Sequence, residues 1–145
     1  MVAESTYPYQ GQDGICYQQT ETAAQITGFQ DVTRNDKQAL QIAVSQQLVS
    51  VFIAASDDFQ NYVSRIFQRY CGDSPNHAVT IVGYENENGM NYWLINNSWG
   101  QTWGKNGYMK ILKGSSNSEG QCGIAIGLHF QLHNKSYKRL WGWFF

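Results

Sequence analysis

Two runs of β-forming residues, "HAVTIVGYE" (77–85) and "MNYWLINNS" (90–98), flank the polar, glycine-bearing stretch "NENG" (86–89). Runs this rich in Val, Ile, Tyr and Trp, separated by so short a loop, predict an antiparallel hairpin. The pairing also carries chemistry, because it returns Asn97 to the end of the hairpin where His77 begins. A side-chain amide oxygen that accepts one ring N–H fixes the tautomer and plane of a histidine, freeing its other nitrogen for proton transfer. An amide rather than a carboxylate suits a base whose cationic form is already stabilised by a neighbouring thiolate. The plain alternative for a lone histidine at a strand end is a bond to a backbone carbonyl. Asn97 is the residue that lifts His77 above it, and Trp99 would lie close enough to shield the contact from water.

The remainder of the chain reads as β-rich with little helix. "YPYQGQDGICYQQT" (7–20) has proline, two glycines and aromatics without period, so it is irregular. "ITGFQDVT" (26–33) reads as a short strand. "NDKQALQIAVSQQ" (35–47) places Leu40, Ala43, Val44 and Gln47 on one face behind a capping Asn35, which predicts an amphipathic helix of about three turns. "LVSVFIAA" (48–55) is an unbroken apolar run and predicts a buried strand. "DDFQNYVSRIF" (57–67) reads as a helical turn and then an extended piece. "GYMKILKG" (107–114) alternates apolar and cationic residues as a half-exposed strand does, and "CGIAIG" (122–127) reads as a last short strand. The expected fold class is α+β.

Composition narrows the function. With 10 Lys and Arg against 11 Asp and Glu, the net charge of −1 gives no electrostatic case for nucleic acid or an anionic membrane. No apolar run reaches the 18 or so residues of a membrane helix. The opening "MVAESTYPYQGQDG" has neither a basic leader nor an apolar core of the secretory kind. His129 and His133 are four apart but lack an Asp, Glu or Cys to complete a ligand set, so no metal or other cofactor is expected. Three cysteines permit at most one internal disulfide and leave one thiol over. The tail, residues 128–145, ends "RLWGWFF" and carries three cations and no acid. It lacks an amphipathic period and is read as a divergent segment behind a domain spanning 1–127, not as an anchor. Asn134-Lys135-Ser136 and Asn96-Asn97-Ser98 are glycosylation sequons, the second of which the core should bury.

"NHAVTIVGY", "YWLINNSWGQTWGKNGYMKI" and "CGIA", with "YPYQG" and "VSVFIAASDDFQ…RIF…CG" in the same order, resemble the papain family of cysteine peptidases over roughly residues 7 to 127. The long Asn-Ser-Trp-Gly stretch, with Trp103, Gly104, Gly107 and Tyr108 in register, makes the resemblance specific. It implies the right-hand, mainly antiparallel and barrel-like domain of that fold, with short helices. It implies a peptidase in which a cysteine thiolate attacks a peptide carbonyl. His77 would then be the general base and acid, Asn97 its orienting partner and Trp99 the cover, while Trp103 packs structurally. Asn76, Ala78 and Gly127 would meet the substrate. Cys71 and Cys122 would be joined, and Cys16 would pair with a cysteine in the other half of the fold.

The family's nucleophile lies in a Cys-Gly-Ser-Cys-Trp-type motif upstream of the "YPY" region, with an oxyanion-binding glutamine before it. Neither motif occurs in these 145 residues. The expectation is therefore the His/Asn half of a cysteine endopeptidase, inactive alone, whose left-hand half is a partner if supplied in trans. Peptide substrates and cystatin-like inhibitors are the other implied partners, and lysosome, vacuole or extracellular space the implied location. Two alternatives compete. One is a non-catalytic module of the same stock that binds peptides or inhibitors, in which His77 or Asn97 should be eroded. The other is an unrelated carbohydrate binder using Trp93, Trp99 and Trp103.

Overall fold

The computed structural model describes residues 3, 5–8, 10–15, 28–72 and 74–126, and the backbone of 130–132. Cys16, Gly127, His129, His133 and the Asn134 sequon lie outside the described residues, as does most of the tail. The elements in chain order are β1 (Phe29–Asp31), α1 (Lys37–Gln46), β2 (Val49–Ile53), α2 (Asp57–Gln60), β3 (Ile66–Phe67), β4 (His77–Glu87), β5 (Met90–Asn96), β6 (Tyr108–Leu112), a 3-10 turn (Gln121–Gly123) and β7 (Phe130–Leu132). Among the described residues the strands form one sheet ordered β1-β7-β2-β4-β5-β6-β3. Every pairing is antiparallel except that of β3 with β6. The fold is α+β, an extended antiparallel sheet with few short helices.

The hairpin forms with a tighter turn than the sequence suggests. Pairing continues outward to Glu87 and Met90, leaving Asn88 and Gly89 at the tip with φ of 52° and 83°. Positive φ at both central residues is the type I′ geometry that Asn-Gly favours, and its twist matches that of the strands. Register shifts between Ile81 and Gly83, so Val82 is an extra residue on β4. A bulge of this kind turns the strand locally.

α1 lays Leu40, Ala43 and Val44 against the sheet, and all three are buried. Its N-cap is Asp36, not Asn35. The Asp36 carboxylate accepts from the amides of Gln38 (3.0 Å) and Ala39 (2.8 Å). Asn35 instead takes φ 59° and donates its N–H to the Ala125 carbonyl at 2.7 Å, which stations it one residue too early to cap. Gln47 lies beyond the helix as its C-cap. β2 also departs from expectation: Val49, Val51 and Ile53 are buried, but Phe52 is 42% exposed. The run is continuous in sequence, yet the strand alternates because the core covers one face of it.

Within the predicted strand "CGIAIG", the described residues 122–126 are not a strand. Gly120, Cys122 and Gly123 all have positive φ (75°, 57° and 71°), which coils residues 121–123 into a 3-10 turn. Two anchors hold it. Cys122 is disulfide-bonded to Cys71, with Cα atoms 4.9 Å apart, and the Cys122 carbonyl accepts from Ala54 N–H at 2.9 Å. The turn thus fastens the exit of β2 to the segment that leads into β4. The core itself is built around Trp93, Phe59, Leu40, Ile81, Ile95, Met109 and Ile111, all with no measurable exposure.

Candidate active site

His77 is the first residue of β4 and lies opposite Ile53, the last residue of β2. Asn97 follows the last residue of β5, where Asn96 pairs with both Thr80 and Tyr108. The hairpin therefore brings the two to the same end of the sheet. His77 Nε2 and Asn97 Oδ1 are 2.8 Å apart, and the same oxygen accepts the Ser98 N–H at 2.8 Å. The second bond settles the direction of the first. An atom accepting from a backbone N–H is the amide oxygen, so the histidine nitrogen facing it must donate. In the neutral imidazole the proton is then on Nε2 and the lone pair on Nδ1, which has no hydrogen-bond partner among the described residues.

Asn97 is 5% exposed, and its backbone N–H donates to the Gly107 carbonyl at 2.9 Å. Its Nδ2 has no partner among the described residues. The buried amide is therefore held through its oxygen and its backbone N–H rather than through its NH₂. The core does not bury the Asn96-Asn97-Ser98 sequon as the sequence suggests: its acceptor, Asn96, is half-buried and Ser98 is exposed, and only the middle residue, Asn97, is buried.

Aromatic rings surround the pair. The Trp99 ring stacks on His77 at 4.6 Å between centroids and 25° between planes. Phe59 meets Trp99 edge-on at 5.7 Å, and Trp103 does so at 5.2 Å. Trp103 stacks in turn on Phe59 at 5.6 Å and donates its indole N–H to the Gln60 carbonyl at 2.8 Å. Trp99 remains 37% exposed, so it roofs the His–Asn contact from the solvent side, while Trp103 props it from behind. Phe59 is the support that sequence reasoning missed. Its signal was Ser56 before Asp57-Asp58: Ser56 Oγ caps α2 by accepting from the Phe59 N–H at 3.3 Å, which fixes where that ring stands.

The loop carrying Trp99 depends on Gly104. Its φ is +56°, and a Cβ there would sit 2.7 Å from the Tyr108 carbonyl oxygen and 3.2 Å from the Tyr62 ring. Gly104→Ala is expected to cost about 2 kcal/mol, from backbone strain plus the displacement of Tyr108. A thermal melt checks this, and an unchanged midpoint would show that the loop adapts freely.

The remaining candidates divide. Asn76 is committed to backbone: its Oδ1 accepts from Ala55 N–H at 2.7 Å, its Nδ2 donates to Ala55 O at 3.3 Å, and its own N–H donates to Ile53 O at 3.0 Å. Ala78 is exposed and lies directly across from Phe52, so the two present apolar surface beside His77. Gly127 lies outside the described residues. Among the described residues no group of three or more His, Cys, Asp or Glu could hold a metal, and no helix is long and apolar enough to cross a membrane.

His77, Asn97 and Trp99 thus form one cluster at the end of the antiparallel sheet, and comparison with known proteins identifies the family of the chain. The model for "Papain family cysteine protease" matches residues 1–132. The chain is 42% identical to fruit bromelain of Ananas comosus over 128 residues, which is 87% of this chain and 36% of bromelain. To zingipain-2 of Zingiber officinale it is 45% identical over 124 residues, covering 84% of this chain and 56% of that protein. Among solved structures, the bromelain protease of Ananas comosus in complex with the E64 inhibitor superposes with a TM-score of 0.82 at 40% identity, covering 90% of this chain and 62% of that one. The chain belongs to the papain family of cysteine proteases. It spans between about a third and a little over half of the length of these curated relatives.

Proposed function

We propose that this chain supplies the histidine–asparagine half of a cysteine endopeptidase site, and that the nucleophilic thiol comes from polypeptide outside these 145 residues. The observation that carries the reading is the His77 Nε2–Asn97 Oδ1 bond at 2.8 Å beneath the stacked Trp99 ring. Cys71 and Cys122 are consumed by their disulfide and offer no thiol.

In the complete site, Nδ1 of His77 takes the thiol proton, giving a thiolate–imidazolium pair. The thiolate forms a bond to the peptide carbonyl carbon, and the C–N bond breaks as the imidazolium returns its proton to the leaving amine. His77 then deprotonates water, which hydrolyses the thioester and restores the thiol. Asn97 keeps the proton on Nε2 throughout, so Nδ1 is always the exchanging atom. Trp99 keeps water from competing for Oδ1. Ala78 with Phe52 receives an apolar side chain of the peptide, Asn76 holds the rim by its clasp on Ala55, and Gly127 belongs to the same pocket by resemblance. The partners of this reading are a peptide substrate, the cysteine-bearing half and cystatin-like inhibitors that fill the same cleft.

The test uses the full chain with and without a separately expressed left-hand half of a papain-family relative. Alone, the chain is expected to cleave no fluorogenic peptide above background and to resist an epoxide trap of the E-64 type. Together, the two are expected to cleave and to be trapped at the cysteine of the added half. Labelling of the isolated chain that depends on His77 would overturn the assignment of the thiol to another polypeptide. A folded mixture that binds peptide without cleaving it would favour the binding-module alternative.

A further inference from the structure

At the opposite end of the sheet from His77 and Asn97, the start of β5 and the exit of β6 leave a cavity of about 320 Å³ under the first turns of α1. It is lined chiefly by Lys37, Gln38, Gln41, Asn91, Lys113 and Ser115. The hydrogen bonds around it have a consistent direction. Gln41 Oε1 accepts from Lys113 Nζ at 2.6 Å, and the Gln41 NH₂ has no acceptor among the described residues. Asn91 Oδ1 is occupied by Asn86 Nδ2 at 3.0 Å, which leaves the Asn91 NH₂ in the same condition. The Ser115 hydroxyl is buried and has no partner among the described residues. Lys37 Nζ donates to the carbonyls of Ser115 (2.8 Å) and Asn117 (2.9 Å) and has a third proton to give.

Among the described residues no acid lines the cavity. The nearest in sequence, Asp36, has a carboxylate oxygen engaged by the Gln38 and Ala39 amides. Lys113 makes no ion pair in the described structure. Its ammonium rests 4.8 Å from the Tyr84 ring centroid and 5.2 Å from that of Trp93. Burial alone pushes its pKa down, as expected of a cation without a counter-charge. Unpaired donors and two cations around one cavity are the complement of an oxyanion with several acceptor oxygens. The volume is at the small end of small-molecule sites.

We propose that this cavity is a binding site for a small ligand bearing a phosphate or sulfate group, with Lys37 and Lys113 as its charge partners and Ser115, Gln41 and Asn91 as neutral donors. The oxyanion reaches it free or carried on a sugar, and the two sources are separable.

The experiment titrates the ¹⁵N-labelled full chain with sodium phosphate, with sodium chloride holding ionic strength constant. Saturable shifts are expected at Lys37, Gln41, Asn91, Lys113 and Ser115, without matching shifts at His77 or Asn97. Lys113→Gln is expected to weaken binding roughly tenfold or more, as loss of a charged hydrogen bond predicts. Ser115→Ala should weaken it severalfold and, because it removes a single oxygen, serves if the lysine variant fails to fold. Glucose 6-phosphate binding tighter than phosphate, with glucose inert, supports the sugar-borne source, and equal binding supports the free ion. Equal shifts with chloride alone, or unchanged affinity in both variants, would overturn the site.

Discussion

In a complex reconstituted with the cysteine-bearing half, His77→Ala is expected to lower kcat/KM by roughly 10²- to 10⁴-fold, the usual worth of a positioned general base. The loss should fall on kcat, because the imidazole moves a proton and makes no uniform contribution to peptide binding. Asn97→Ala is expected to be milder. It removes one hydrogen bond that strengthens when the ring is cationic, worth about 1.5–3 kcal/mol, or on the order of 10- to 100-fold. The two changes are expected not to add, since Asn97 acts through His77: the double variant should be no slower than His77→Ala alone. Single-turnover acylation of a peptide ester reads all three variants. Additive losses would show that Asn97 serves a separate function and that the 2.8 Å contact is incidental.

The second large effect concerns the Cys71–Cys122 link, which joins residues 51 apart in sequence. Closing a loop of that length stabilises the native state by about 4 kcal/mol on chain-entropy grounds. A domain with a typical net stability of about 5–15 kcal/mol would lose a large share of it. Replacing both cysteines by serine should therefore lower the denaturation midpoint sharply and steepen the slope, because the unfolded chain without the link is more expanded. Reductant should do the same to the wild-type chain and leave the double variant unaffected. Equal midpoints for the oxidised and reduced chain would mean that the turn at 121–123 is held by its hydrogen bonds alone.

What could be read from the residues depended on whether the signal was local. The hairpin was legible because two β-forming runs flank a short, polar, glycine-bearing loop, and with it came the approach of His77 to Asn97. The apolar face of α1 was legible for the same reason: Leu40, Ala43 and Val44 recur at helical spacing. Three features were not local. Asp36 displaces Asn35 as the cap because a distant carbonyl, Ala125 O, claims the Asn35 N–H. The apolar "CGIAI" run (122–126) coils because the disulfide and the positive φ of Cys122 and Gly123 override its strand propensity. Phe59 reaches the site from a four-residue helix too short to show any period. Its place is visible only once Trp99 and Trp103 stand around it.

The length of β4 separates the chemistry from the hairpin tip. Eleven residues of strand, from His77 to Glu87, put the Asn88-Gly89 turn on the order of 30 Å from the imidazole. Residues 85–91 at that tip are exposed, and the turn's geometry is self-contained. Exposed loop tips of this kind accept inserted sequence more readily than any other backbone position. A dye, an affinity tag or a whole reporter domain spliced between Asn88 and Gly89 would therefore ride on the molecule as a handle, with the His77 end of the sheet left free to dock.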